Sequence, residues 1–493
     1  MSNRFVLEQY GADVQAIVRS GFGSMTHARY LLLQIEDPVQ VRAWIAQLLG
    51  ERLIKSVADD NAGNVEEAVV LAFSYSGLRA MELTEHADFP FPSSFRRGMA
   101  DPVRKPLLGD RSRAAWDWGD IASERFRGVQ ILAAHYRQHP FEGTVALLDV
   151  TDPAARGMRL VKMIRTCPYY IRAGREPFGF KDGLSQPVVT ELMEAESVQR
   201  RRKLGGATFH DDELAAGEFV LGYANSYGER SYCPDVVGWP RVTDQNGGRF
   251  ARHGSYLAVR QIEQDIAAFE QFDISEREKM LGRTLDGKPL VTDPGRLPMP
   301  EKDPNDFRYR LADIEGFQCP RGAHVRRANP RDALGWDVPS GIAASKLHRL
   351  IRRGRVYTED SACGASCESD DASEGCGKGL FFIALNADLD RQFEFVQQRW
   401  FTNSKFADLW DEADPALGDG TDRSFSIPGC LPIGTRLHNL PQFTTVKGGG
   451  YFFLPGLSAL RFIAERPGAG VELKSHDAGS GAQVARVHVR ETT

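Results

Sequence analysis

The sequence predicts an α+β fold built from two similar units. In each half of its 493 residues, apolar strand-like runs alternate with segments whose apolar residues recur at helical spacing. Hydrophobic residues make up 42% and charged residues 26% of the chain, which are ordinary values for a globular protein. No short-period repeat is visible, and this disfavours solenoids and propellers.

The first half opens with a strand, helix, strand pattern. Residues 28–35 form an apolar run, Asp37 caps a helix that Pro38 opens, and residues 68–75 form a second apolar run. Three further elements complete the prediction for this half: a strand over 144–150, a helix from Asp152 through Lys162, and a closing strand over 167–171.

The second half repeats this style after a connection over 203–248 that is rich in Gly, Asp and Arg. Its predicted elements are strands over 255–260 and 380–385 and helices over 263–272 and 389–400. Segment 359–378 is small, polar and acidic, so we expect an exposed loop there. Its three cysteines, Cys363, Cys367 and Cys376, leave a closed zinc site one ligand short, and a disordered loop or a redox-sensitive pair are the alternatives.

Composition excludes several classes of protein. Lys and Arg total 61 against 66 Asp and Glu, and a formal charge of -5 provides no general basic field for nucleic acid. The longest apolar runs are far shorter than the roughly 20 residues of a membrane helix. The N-terminus lacks the apolar segment of a secretory signal, so we expect a cytoplasmic protein without a membrane span and with reduced thiols.

Gly179 to Gly183 form the first stretch that could carry chemistry. The two glycines allow close approach of the backbone to a ligand and can direct Asp182 into a pocket. For an isolated stretch of this kind, an ordinary surface turn with a hydrogen-bonding Asp is the favoured interpretation.

The second and third stretches carry histidine and arginine. In the segment from Cys319 to Arg331, His324 lies beside small residues and is followed by several arginines, a combination that suits an anionic cofactor carrying a metal. The segment from His348 to Tyr357 is arginine-rich and could be a phosphate or RNA patch, although a solvated face is the simpler interpretation for it alone.

In this order, the three stretches resemble the dye-decolorizing peroxidases, a family of haem peroxidases with a dimeric α+β barrel fold. Residues 16–35 and 380–400 support the resemblance, which covers nearly the whole chain. It implies two ferredoxin-like domains, 1–175 and 176–493, with one haem b per chain in the C-terminal domain and Asp182 on a loop of that domain.

The resemblance also implies roles for individual residues. His324 would be the axial ligand of the haem iron, and Arg331 and Arg327 would pair with the haem carboxylates. Asp182 would act as general acid and base on hydrogen peroxide, while Arg352 would stabilise negative charge as the O–O bond breaks. The remaining implied roles are a distal pocket wall (Leu380, Phe382), an acceptor that orients the proximal imidazole (Asp414) and a surface electron relay (Tyr357, Trp400).

We therefore predict a peroxidase that uses hydrogen peroxide to oxidise phenolic or dye-like organic donors. One alternative is a haem-binding or iron-releasing protein of the same fold, which would need His324 but neither Asp182 nor Arg352 as catalysts. A second alternative is a ferredoxin-like nucleic-acid binder that uses the Arg349 to Arg355 patch, and net acidity argues against it. The sequence leaves the oligomeric state and the physiological electron donor open.

Overall fold

A computed structural model describes most of the chain. The described residues are 10–59, 65–110, 116–119, 128–141, 156–193, 198–199, 209–240, 248–291, 305–358, 377–418, 423–429 and 434–466. Within these ranges, no helix has both the length and the apolar character needed to cross a membrane.

The first unit is a four-stranded antiparallel sheet of ferredoxin-like order, β2-β3-β1-β4. Its strands are β1 (His27–Ile35), β2 (Glu67–Phe73), β3 (Ile131–Arg137) and β4 (Met158–Thr166). Its helices are α1 (Pro38–Gly50), α2 (Tyr75–Ala80), α3 (Ser93–Arg97), α4 (Arg104–Leu107) and α5 (Pro168–Ala173).

A connection with little regular structure leads to the second unit. It contains β5 (Val188–Val189), α6 (Phe209–Asp212) and β6 (Glu213–Leu214), and β5 pairs with β6 in parallel. Short 3₁₀ turns lie at Ala16–Val18, Thr190–Leu192, Ala216–Glu218 and Phe406–Asp408.

The second unit repeats the first in topology, because its long strands have the order β13-β7-β10-β9. Its strands are β7 (Ser255–Gln264), β8 (Ile351–Arg352), β9 (Arg355–Thr358), β10 (Gly379–Asn386), the hairpin β11 (Phe425–Ile427) and β12 (Thr435–Leu437), and β13 (Thr444–Leu454). Its helices are α7 (Ile266–Glu270), α8 (Ile274–Leu281), α9 (Arg310–Asp313), α10 (His324–Ala328), α11 (Val338–Lys346) and α12 (Leu457–Glu465), with π-helical turns at Asp390–Glu394 and Val396–Phe401.

The two sheets join at both edges and close a barrel. The last strand of each unit meets the second strand of the other: Phe453 of β13 pairs with Phe73 of β2, and Thr166 of β4 pairs with Tyr357 of β9. Closure removes the exposed strand edges that an open sheet would present. The predicted two-unit α+β fold is thereby confirmed.

Alternate residues of each wall strand enter two different cores. On β1, Tyr30 and Leu32 belong to a cluster to which both sheets contribute, which fills the barrel. Leu31 and Leu33 belong to the cluster beneath α1 and α12 on the outer face. The period of two along each strand therefore separates a barrel interior from a helix-covered layer.

Several predicted elements of the first half are confirmed. The first strand and helix have almost the predicted bounds, and the Asp37 carboxylate accepts hydrogen bonds from the backbone N–H groups of Val39 and Gln40 at 2.8 and 3.3 Å. The second strand ends at Phe73 because Ser74 caps α2 by accepting from the N–H of Gly77.

The prediction for the end of this unit was wrong. The predicted helix from Asp152 through Lys162 ends in residues that belong to β4, and most of the strand predicted over 167–171 lies in α5, with Pro168 in its first turn. The polar residues of β4 interrupt its apolar run because the strand is only partly buried, and pairing with β1 decides its structure. The strand expected over 144–150 lies outside the described residues, and the division at residue 175, which falls between β4 and β7, stays a prediction.

The arginine-rich segment is an interior connection between the units. Arg355 is 5% exposed and donates to the carbonyls of Gly21, Phe22 and Met25 at 2.7 to 3.0 Å. Arg353 donates to the carbonyls of residues 17, 18 and 19. These side chains therefore do not form the solvated face or the nucleic-acid patch that their composition allowed.

Replacing Arg355 by Ala should destabilise the protein, because three carbonyl groups, two of them on the buried residues Phe22 and Met25, lose their donor. We expect the free energy of unfolding to fall by about 2–4 kcal/mol. Urea denaturation followed by tryptophan fluorescence measures this change, and Arg461→Ala on the exposed face of α12 is the matched control. Equal stability of the two variants would contradict the role of Arg355 as a connector.

Candidate active site

A large cavity lies against the outer face of the second sheet. It measures about 1760 Å³ including the part open to solvent, and it lies between β7, β10, the loop over 176–185, α10 and the π-helical turns. Its walls are mainly apolar, with side chains such as Ile262, Leu380, Phe382 and Phe401. Predicted site residues from all three sequence stretches reach this one cavity.

His324 is on the cavity wall at the first residue of α10. Its Nδ1 lies 3.0 Å from Oδ2 and 3.2 Å from Oδ1 of Asp414, and its ring stacks on Phe401 with 5.2 Å between ring centres. The His324 side chain is 25% exposed, whereas the Asp414 side chain is fully buried. The carboxylate thus occupies Nδ1 and leaves Nε2 as the imidazole nitrogen available to a ligand.

Asp414 is fixed in its charged form by its surroundings. Burial opposes the charge, but the His324 ring, Arg327 and the backbone N–H of Leu417 hold the pKa of the carboxyl below its ordinary value. Its Oδ1 accepts from the N–H groups of Ala416 and Leu417 at 2.9 and 2.7 Å. A carboxylate held in this way can orient an imidazole without exchanging a proton with it.

Close packing holds α10 in place. Gly282 ends α8 in a left-handed conformation, with φ +88°, and a Cβ at this position would lie 2.6 Å from Cγ2 of Val325. Only glycine readily adopts this left-handed conformation and also leaves room for the side chain of Val325. The α8 terminus therefore sets how near α10, and with it His324, lies to the cavity.

Asp182 reaches the cavity from a loop with two glycines in positive-φ conformations, Gly179 and Gly183. The loop is fixed by bonds from the N–H of Lys181 to the carbonyl of Leu285 and from the N–H of Asp182 to the carbonyl of Gly174, both 2.9 Å. Most of the Asp182 side chain stays exposed. It can therefore meet a small molecule that enters the cavity.

Arg352 approaches the same part of the cavity from β8. Its guanidinium donates to the carbonyl of Leu184, and its backbone exchanges two hydrogen bonds with the side chain of Gln186. Burial lowers the pKa of Arg352, while the negative charge of Asp182 raises it. The structure thus brings Asp182 and Arg352 within electrostatic range of each other.

The positions of Arg327 and Arg331 do not suit the predicted pairing with haem carboxylates. Arg327 is fully buried beside the cavity, and its guanidinium donates to the carbonyls of residues 322, 400, 403 and 412. Arg331 lies behind Ser185 and Asn329 and pairs with Asp212 at 3.0 Å. Both arginines stabilise the protein around the cavity and do not line it.

Arg349 is a cavity residue to which sequence analysis gave no role. It shares the Asp212 carboxylate with Arg331, at 2.9 Å, and is 4% exposed. Two guanidinium groups on one carboxylate leave a net positive charge beside the cavity. The signal available in the sequence was its place in the arginine-rich segment, three residues before Arg352.

Two further cavity residues lie on β7. Arg260 pairs with Asp110 of the first unit at 2.6 Å, and Gln264 donates to Glu176 at 2.7 Å. The predicted strand ended at residue 260, so the alternation of residues 260, 262 and 264 along one face was not visible. That period-two pattern is the signal that would have found them.

Leu380 and Phe382 line the cavity. Tyr357 and Trp400 are 1% and 5% exposed, so neither side chain reaches outward as expected, and an electron relay through them stays a prediction. Trp400 packs against His348 and Phe395 within the structure. Cys363, Cys367 and Cys376 lie outside the described residues, whereas Cys167, Cys233 and Cys319 are buried.

Known proteins resemble this chain along most of its length. A family model described as "Dyp-type peroxidase, C-terminal" matches residues 217–413. The multifunctional dye peroxidase DyP2 of Amycolatopsis is 26% identical, with 93% of this chain and 94% of the relative covered. Dye-decolorizing peroxidase AauDyP1 of Auricularia auricula-judae is also 26% identical, over 91% of this chain and 86% of the relative.

Solved structures share the fold. The DyP-type peroxidase of Anabaena superposes with a TM-score of 0.69 at 21% identity, covering 94% of this chain and 97% of that structure. The fungal peroxidase from Auricularia auricula-judae superposes with a TM-score of 0.68 at 23% identity, covering 92% and 99%. The matched family model, these sequence relatives and this barrel make the chain similar to the DyP-type peroxidases along most of its length.

Proposed function

We propose that this protein is a peroxidase that binds one haem b in the cavity and uses hydrogen peroxide to oxidise phenolic or dye-like donors. The observation that carries the proposal is the meeting of Asp182, Arg352 and the His324–Asp414 pair at one cavity. A protein that only bound haem or released iron would need His324 without the acid–base group and the cation. The presence of all of them favours catalysis.

The cavity residues fit a haem group. An imidazole whose Nδ1 faces a buried carboxylate is the arrangement expected of an iron ligand, since the carboxylate makes the imidazole a better donor. Apolar side chains suit the faces of the macrocycle. Arg349, in place of the predicted Arg327 and Arg331, offers the positive charge for a haem carboxylate.

Asp182 and Arg352 would act together on hydrogen peroxide. Bound haem iron supplies the centre that is oxidised by peroxide and reduced again by the donor. Asp182 takes the proton from one peroxide oxygen and returns it to the leaving oxygen as water forms. Arg352 would stabilise the negative charge that develops during this transfer.

The cavity entrance affects the choice of donor. Leu380 and Phe382 lie on the β10 side of the cavity wall, and with haem bound they would leave room for peroxide more readily than for a large dye. Bulky donors would therefore transfer electrons from outside the cavity. Since Tyr357 and Trp400 are buried, they could serve such a path as inner members only.

Replacing His324 by Ala should abolish stable haem loading, because no second cavity residue has a carboxylate-backed imidazole among those described. Asp414→Asn should retain the ligand but weaken haem iron binding by roughly 10–100-fold. Absorption of the Soret band per mole of protein measures loading, with His86→Ala at an outer turn as the control. Full loading and an unchanged spectrum in His324→Ala would refute this assignment.

Asp182→Asn and Arg352→Leu should slow the reaction with peroxide and spare haem loading. We expect losses of roughly 10²–10⁴-fold for the proton-transfer group and roughly 10²–10³-fold for the cation. Stopped-flow absorption after mixing with peroxide isolates this step from donor oxidation. Asp273→Asn, an exposed helix cap of α8, is the control. Wild-type rates in both cavity variants would contradict the mechanism.

Arg349 and Arg327 should differ in their effects, although both are buried arginines. Arg349→Leu should release haem about tenfold faster to an excess of apomyoglobin, because it removes a charge-assisted bond to a haem carboxylate. Arg327→Leu should chiefly lower the free energy of unfolding of the haem-free protein, since its partners are backbone carbonyls. The reverse pattern would restore Arg327 as the carboxylate partner.

A further inference from the structure

Glu176 lines the cavity, and the proposed reaction assigns no role to it or to its contacts. Its Oε1 accepts from the N–H of Phe180 at 2.9 Å, and its Oε2 accepts from the N–H of Phe178 at 3.1 Å and from Nε2 of Gln264 at 2.7 Å. One carboxylate thus holds two backbone groups of the Asp182 loop and ties them to β7.

The backbone of Glu176 closes the same loop. Its N–H donates to the carbonyl of Phe180 at 3.0 Å, and its carbonyl accepts from the N–H of Gly179 at 2.8 Å. Backbone and side chain together fix residues 176 to 180 as a compact turn. Asp182 follows two residues later, so the direction in which its carboxylate enters the cavity depends on this turn.

We propose that Glu176 is a positioning residue: by accepting from Phe178, Phe180 and Gln264, its carboxylate fixes the loop that presents Asp182 to the cavity. This inference rests on the proposed function, in which Asp182 transfers the proton of peroxide. Glu176 itself does not touch peroxide in this scheme. It acts by keeping Asp182 in the geometry that proton transfer needs.

The electrostatics make this contact sensitive to pH. Burial raises the pKa of Glu176 to about 7, against hydrogen bonds from Gln264, Phe178 and Phe180 that favour the charged form, and the charge of Asp182 raises it further. The other charged side chains around the turn are Arg175, Lys181, Arg260, Arg283 and Asp286. Glu176 is the group expected to change charge near neutral pH.

The sign of the effect follows from these contacts. A raised pKa means that ionised Glu176 costs folding stability, and this cost appears as pH rises through about 7. The ionised form accepts the two loop N–H groups more strongly, but these bonds do not offset the cost of burying the charge. Proton uptake below this pH therefore stabilises the closed turn together with the fold, because opening the turn would expose Glu176 to water and return its pKa toward the ordinary value.

Amide exchange measures the loop directly and does not require activity. In haem-free and haem-loaded protein, protection of the peptide over 177–183, corrected for intrinsic exchange, should rise as pH is lowered from about 8 to about 6. Glu176→Gln should show lower protection at both pH values without this pH dependence, and Glu176→Asp should restore part of the pH dependence. Glu278→Gln is the matched control, because Glu278 accepts from the N–H of Leu285 on the adjacent loop.

Peroxide kinetics give the second readout. Glu176→Gln should lower kcat/KM for hydrogen peroxide by roughly 10–100-fold at about pH 8, with haem loading unchanged and Glu278→Gln at the wild-type value. Wild-type protection that does not change with pH, or unchanged protection in Glu176→Gln, would overturn the proposal. If the exchange pattern holds but the wild-type protein does not turn over peroxide, the proposed function fails and the role of Glu176 in the loop stands.

Discussion

Closure of the barrel is the constraint on which the rest of the structure depends. Once β13 meets β2 and β4 meets β9, each wall strand must bury every second side chain inside the barrel. The remaining side chains face outward and need a different cover. In the first unit α1 and α12 supply it, whereas in the second unit β7 and β10 run past their helices and form a cavity wall with residues such as Ile262 and Phe382.

Buried arginines connect this barrel to the parts of the chain that surround the cavity. Arg355 and Arg353 bind carbonyls of the N-terminal segment. Arg327 of α10 binds the carbonyls of residues 322, 400, 403 and 412. A guanidinium can serve several carbonyls at once because it carries five donors in a fixed plane. Several arginine residues near the site therefore have a structural role. Among the described residues, the arginines that line the cavity are Arg260, Arg283, Arg349 and Arg352.

The sequence was informative where local chemistry determines structure. Asp37 and Pro38 marked the start of α1, and the glycines around Asp182 indicated a turn that does have positive-φ glycines. It was misleading where long-range pairing decides, as in β4, whose polar residues resemble one face of a helix. The strands β3 and β13 escaped notice for a related reason. Their alanines and glycines are small because neighbouring groups approach closely, as Trp118 does at Gly448.

Motif order placed Asp182, His324 and Arg352 at one cavity, but it could not separate arginines that line the cavity from those behind it. Arg327, Arg331 and Arg349 have the same chemistry in the sequence, and only burial and partners distinguish them. Similarly, the position of Trp400 at the end of a predicted helix did not indicate that its ring packs against His348 and Phe395.

Two carboxylates show how this structure assigns different tasks to the same group. Asp414 and Glu176 both accept two backbone N–H bonds beside the cavity. Burial raises the pKa of both carboxyls, but Asp414 also faces His324 and Arg327, so its pKa is lowered on balance. At Glu176 burial prevails over the hydrogen bonds from Gln264, Phe178 and Phe180, and the pKa rises to about 7. The cations beside Asp414 therefore make one carboxylate a charged support for the imidazole, whereas burial leaves the other able to respond to pH.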